Sequence, residues 1–228
     1  MKKIMAIISI LMIVAMMGSA FAVSNSPIAF RGIEWYGKYK DVYPDFEGDF
    51  SMTFENSSLD SINYAECGII HSSDAVDDGG IALYNEFEVA GYDADTILFF
   101  MYPIENGKSN RNKDDSEFYM AVYEIYSYED MLSVYKDIEG KLISIYGEGT
   151  SKTNERYYTE SLYWEDENGN ALWLIYDDLY KALPQVRIAY AAGGSKARLA
   201  ELREVLLAEK AAAEENERQQ NAGNTSGL

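Results

Sequence analysis

Hydrophobic positions along this chain follow two rhythms, and the changes between them mark its elements. Phe50, Met52 and Phe54 fall at every second position, which places them on one face of a half-buried strand. Residues 82–89, 96–102 and 118–126 are short runs dense in aromatic and aliphatic side chains, and they read as three further strands. Gly91 to Asp95 is a gap short enough for a hairpin, whereas 105–116 is a longer polar excursion. Ile97-Leu98-Phe99-Phe100-Met101 is apolar at every position and predicts a central strand covered on both faces.

The period then lengthens. Met131, Tyr135, Ile138, Leu142 and Ile145 recur at alternating spacings of four and three, the stripe of an amphipathic helix. Ser127 with Tyr128-Glu129-Asp130 suits its start and Gly147 its left-handed stop. Gly140 weakens the pattern by about 1 kcal/mol relative to alanine. Strands follow at 157–165, 171–177 and 185–190, the first two joined through Asn168-Gly169, a strong hairpin turn. Past Gly193-Gly194 the composition becomes rich in Ala, Glu, Lys and Arg. Leu199, Leu202 and Leu206 share one stripe there, so 195–220 reads as a helix docked by its first turns, with 221–228 a disordered end.

The N-terminal third is less regular. Lys2 and Lys3 precede an apolar run over 4–17, closed by Gly18-Ser19-Ala20-Phe21-Ala22. A basic start, an apolar middle and an Ala-x-Ala ending describe a signal peptide over 1–22, cut between Ala22 and Val23. The run is shorter than the ~20 residues of a spanning helix. A polar leader covers 23–27, and 28–37 reads as an extended segment. About two helical turns follow over 38–46, stopped at Pro44. Residues 55–80 look like an acidic loop with one short strand around Cys67. No repeat is evident at the residue level. The expectation is a single α+β domain over 23–194. It comprises an antiparallel sheet of about six strands, one long packed helix and a short N-terminal helix, with the helical tail appended.

Charge narrows the partners. The 228 residues carry a formal charge of −19, and removal of Lys2 and Lys3 takes this to −21. Such a domain repels nucleic acid, anionic lipid and anionic wall polymers and attracts cationic peptides, basic proteins or divalent metal ions, the plainer reading being that the charge only keeps the protein soluble. Cys67 is the only cysteine, so no intramolecular disulfide is possible, and His71 is the only histidine. A Cys67–His71 pair would share a face only in a helix, and Gly68 with Ser72-Ser73-Asp74 argues for a turn, so Cys67 reads as a buried inert thiol. One histidine also removes most transition-metal sites and catalytic triads from consideration. No metal site or cofactor is expected.

Carboxylates come in pairs at Asp77-Asp78, Asp93 and Asp95, Asp114-Asp115 and Asp177-Asp178, yet acid–base work needs two that converge with divergent pKa values. Asp166-Glu167-Asn168-Gly169-Asn170 has oxygen side chains at alternate positions, as calcium loops do. Ala171 and Asp177 stand where such loops have Gly and Glu, so it reads as a hairpin turn. No glycine-rich phosphate loop, Gly-x-Ser-x-Gly or His-Glu-x-x-His occurs. Nineteen tyrosines with Trp35, Trp164 and Trp173 raise an aromatic binding surface as one reading and core packing as the default.

Phe30-Arg31-Gly32-Ile33-Glu34-Trp35 resembles the Phe-Arg-Gly-Ile-x-Trp-Gly opening of a loose group of bacterial exported proteins, mostly uncharacterised. Val42, Tyr146-Gly147 and Trp164 fall at places matching later features of that group, while Tyr36 stands where it has glycine. The order of helix and antiparallel strands is also similar to beta-lactamase-inhibitor-like and outer-membrane assembly lipoprotein folds. Proteins of those folds mostly bind other proteins, which is an analogy at fold level. Arg31-Gly32 before Trp35 reads as an anchor, with glycine allowing a tight turn and tryptophan plugging the sheet. The expected function is an exported, non-enzymatic binding module for a protein or peptide, with Arg31, Trp35, Trp164 and Trp173 as candidate contacts. It would be extracellular or wall-associated, or periplasmic where an outer membrane exists. The alternative is a hydrolase of wall glycan or peptide using paired carboxylates, and a third reading makes the tail a coiled oligomer.

Overall fold

The structure, a computed structural model, describes residues 26–46, 52–57, 79–126, 130–154, 159–177 and 184–225. It begins with a tight turn in which Ile33 N–H donates to Phe30 O at 2.9 Å. Arg31 (φ 50°) and Gly32 (φ 79°) occupy its two left-handed positions. A second turn follows at Glu34–Gly37, with Tyr36 at φ 64°. Tyrosine is costly in that region, and two contacts hold it there. Its hydroxyl donates to Gly193 O at 2.6 Å, and Arg198 stacks on its ring at 4.2 Å. One helical turn, α1 (Tyr39–Val42), and a 3-10 turn through Pro44 then complete the segment.

Strands β1 (Met52–Ser57), β2 (Gly80–Val89) and β3 (Tyr92–Met101) form a meander. Ala90-Gly91, with φ 55° and 88°, makes the two-residue turn between β2 and β3. Asp93 and Asp95, read from sequence as part of that gap, therefore lie inside β3. The polar excursion holds a two-stranded ribbon, β4 (Ile104–Glu105) and β5 (Lys108–Ser109), before β6 (Glu117–Ile125) returns to the sheet beside β3. Helix α2 (Met131–Tyr146) starts at Asp130, whose carboxylate accepts from Ser133 N–H at 3.0 Å. Ser127 lies outside the described residues. Met131, Tyr135, Ile138 and Leu142 are buried as the stripe predicts, and Val134 joins them while Ile145 is exposed. Then come β7 (Thr150–Asn154), β8 (Thr159–Glu165), β9 (Ala171–Asp177) and β10 (Gln185–Ala191), and the chain ends in α3 (Ser195–Thr225).

The fold is α+β, and its main sheet has eight antiparallel strands in the order β1-β2-β3-β6-β10-β9-β8-β7, against the expected six or so. β7 was the strand missed. Its sequence, Thr-Ser-Lys-Thr-Asn, carries no apolar alternation because it is an edge strand that pairs only with β8. The strand order also shows something the residues hide. A helix followed by a four-stranded meander occurs twice, α1 with β1-β2-β3-β6 and α2 with β7-β8-β9-β10. The two meanders meet at the antiparallel pair β6–β10, so a two-fold axis normal to the sheet relates their topologies. Like topologies with unlike residues are possible because a meander requires only alternation and turns.

Leu83, Leu98, Ala121, Tyr190, Leu172 and Trp164 are successive cross-strand partners and so share one face of the sheet. The N-terminal segment covers that face: Phe30 is buried between Tyr123 and Tyr190, with ring centroids 5.2 and 5.6 Å away. Trp35 stacks flat on Phe118 at 5.1 Å, and its Nε1–H donates to Ile28 O at 3.1 Å. Helix α2 packs over β9 and β10, bringing Tyr135 against Tyr176. A bulge interrupts β6, since Phe99 pairs with Met120 and Phe100 with Phe118, leaving Tyr119 as the extra residue. In α3, Leu199, Leu202 and Leu206 are buried, while Leu207 and residues 210–221 are exposed. The helix runs to Thr225, past the expected end at 220.

Candidate functional site

The loop joining β8 to β9 is organised by one carboxylate. Asp166 Oδ1 accepts from Asn168 N–H and Asn170 N–H, each at 2.9 Å, closing the turn whose left-handed residue is Gly169 (φ 75°). Its Oδ2 accepts from the Asn170 side chain at 3.0 Å and from Ile28 N–H at 2.9 Å. Burial alone would raise the Asp166 pKa, but the bonds from Asn170, Ile28 and Asn168 outweigh it and hold it below the usual carboxylate value. Asn170 Oδ1 in turn accepts from Gly193 N–H at 2.8 Å, so one loop ties the N-terminal segment to the β10–α3 junction.

Those ties leave a cleft of about 550 Å³ between residues 26–28, the end of α2 and the β8–β9 hairpin. Tyr146, Tyr163 and Trp164 supply aromatic surface, and Glu148, Glu165, Asp166 and Glu167 supply carboxylates. None of the described residues lining it is basic. Trp164 is fixed from behind, with its Nε1–H donating to Gly147 O at 2.8 Å, and a Cβ at Gly149 would come within 2.8 Å of its ring. The Tyr163 hydroxyl bonds Glu165. Burial raises the pKa of Tyr146 and Tyr163, so both hydroxyls stay protonated at neutral pH and can donate.

A second cleft, of about 520 Å³, lies at the corresponding place in the other half, between the end of α1 and β2. It is lined by Phe46 and Phe87 with Glu34, Asp41 and Asp45, and it contains Arg31. The Arg31 guanidinium lies 4.6 Å from the Phe87 ring centroid, and its Nη1 donates to the Tyr123 hydroxyl at 3.2 Å.

The opposite face of the sheet carries a charged row. Asp95, Glu124 and Arg187 are successive partners across β3, β6 and β10. Arg187 bonds Asp177, and its Nε lies 3.8 Å from Glu124. Burial pushes the Asp95 and Glu124 carboxyls up; at Glu124 Arg187 opposes that shift and Asp95 adds to it. Of the pairs singled out in the sequence, only Asp95 and Asp177 reach this row. Asp115 is instead held by Lys38 at 2.9 Å and pulled down by that bond. Asp77, Asp78, Asp178, Cys67 and His71 lie outside the described residues.

The four sequence candidates thus part company. Arg31 and Trp164 line the two clefts, Trp164 only by the margin of a ring that is 6 % exposed. Trp173, 5 % exposed, packs on Tyr163 with ring centroids 5.1 Å apart, and Trp35 is stacked into the N-terminal plug. An open tryptophan platform is therefore not what these residues make. Sequence reasoning missed Glu148, Glu165 and Glu167 as a group, because they come together only when the end of α2 meets the hairpin.

No family model, curated protein or solved structure matches this chain. Among the described residues no helix is long and apolar enough to cross a membrane, and no group of three His, Cys, Asp or Glu side chains is placed to hold a metal ion.

Proposed function

We propose that this is an exported, non-enzymatic binding protein that takes a basic segment of a partner protein into the β8–β9 cleft. The observation that carries the reading is the cleft's composition: aromatic walls, four carboxylates and no basic side chain among its described lining. Aromatic surface supplies buried area, while the carboxylates supply attraction that strengthens inside a recess. A formal charge of −19 adds long-range steering of basic partners. Export rests on the signal-like first 22 residues. Kinship with the Phe-Arg-Gly-Ile-x-Trp-Gly group belongs to the same proposal.

The test is capture from the host's envelope and culture fluid at low and high salt. The bait is compared with a variant carrying Glu148→Gln, Glu165→Gln and Glu167→Gln. A protein retained by the native chain at low salt, and lost from the triple variant, is the expected result. Equal retention by both baits would place binding elsewhere.

The hydrolytic alternative has one observation in its favour, the neighbouring Asp95 and Glu124 carboxyls with raised pKa values. Wall-glycan or peptide hydrolysis that survives Glu124→Gln would remove it.

A further inference from the structure

Each half of the sheet has a cleft at the end of its helix, one lined by the N-terminal turn with Phe87 of β2 and the other by the β8–β9 hairpin. They differ in their cations. The cleft at β2 already holds a cation, Arg31, whose guanidinium lies over Phe87 and donates to Tyr123. The cleft at β8–β9 has the matching parts, namely aromatic surface, tyrosine hydroxyls and carboxylates, but none of its described lining residues is a cation.

We propose that the β8–β9 cleft accepts an arginine side chain of the partner protein, its guanidinium against the exposed aromatic margin and bonded to Glu148 and Glu165, much as Arg31 lies over the Phe87 ring in the wall of the other cleft. The inference rests on the basic-segment reading above and adds the identity of the residue recognised. Arginine is favoured over lysine on three grounds. A guanidinium is planar and stacks on rings, it is less strongly hydrated than an ammonium, and its five donors can serve two carboxylates at once. The recess of about 550 Å³ is within the range of sites that enclose a small ligand group.

The experiment is calorimetric or NMR titration of the protein, expressed from its full gene, with three acetylated and amidated peptides. They are identical except for a central arginine, lysine or citrulline, the last keeping the shape of arginine without its charge. Arginine is expected to bind at least tenfold tighter than citrulline and several-fold tighter than lysine. Glu148→Gln with Glu165→Gln should erase those differences while leaving the melting temperature in place. Equal binding of arginine and lysine, both lost in the double variant, would overturn the arginine assignment and leave the basic-segment reading standing. Equal binding of arginine and citrulline, or differences that survive the double variant, would overturn both. NMR shifts confined to the β2 cleft would likewise refute the placement.

Discussion

Replacing Asp166 by alanine tests whether one side chain holds the candidate site together. The carboxylate accepts four hydrogen bonds at 2.9–3.0 Å, three from backbone N–H groups of Ile28, Asn168 and Asn170 and one from the Asn170 amide. Bonds to a buried charged acceptor are worth about 1.5–3 kcal/mol each. Asp166 is only partly buried, so water screens it and replaces part of what is lost, and about 0.5–1 kcal/mol per bond is the better figure. The expected loss is therefore about 2–4 kcal/mol, read as a lower urea midpoint with an unchanged m-value. Asp166→Asn keeps the Oδ1 acceptor and loses the Oδ2 bonds, so it should cost about half as much. The pH dependence has a fixed sign. A carboxylate whose folded pKa is depressed stabilises fully above its unfolded value, about 3.9, and loses that contribution as pH falls through the lower folded value. Below that window the gap between native and Asp166→Ala proteins should narrow to what a neutral carboxyl still holds. A loss under about 0.5 kcal/mol at neutral pH, or a gap that does not narrow in acid, would refute the account of the loop.

Three other outcomes follow from the packing. Tyr119 is fully buried and its hydroxyl has no hydrogen-bond partner among the described residues, so Tyr119→Phe should be neutral or stabilise by about 1 kcal/mol in the same urea assay, and a loss above that would reveal an unseen partner. Arg187 is 9 % exposed and paired with Asp177, so Arg187→Ala should cost about 3–5 kcal/mol, with Arg187→Met recovering much of it through packing. A chain ending after Lys210 keeps the buried Leu199, Leu202 and Leu206 and the Glu209 bonds to Ser109, and should melt as the full chain does and sediment in the same oligomeric state, whereas Leu202→Ala should cost about 2–5 kcal/mol. A change of oligomeric state on that truncation would instead support the coiled-oligomer reading of the tail.

Residue pattern alone determined the helix over Met131–Tyr146, the central strand around Ile97–Met101, the Asn168-Gly169 hairpin and the docked start of the last helix. Each is legible because burial imposes a period, 3.6 or 2, on neighbouring residues of one segment. Edge strand β7 was not legible, because a strand with one partner and a solvated edge needs no apolar alternation. Nor were the fates of the tryptophans: a lone Trp173 reads the same on either face, and only the pairing of β9 between β8 and β10 put it in the core. The duplicated meander, the two clefts and the placing of Glu148 and Glu165 on one cleft were decided by tertiary structure. They depend on which strands pair across the sheet centre, and that choice joins segments far apart in the chain whose residues carry no local mark of one another.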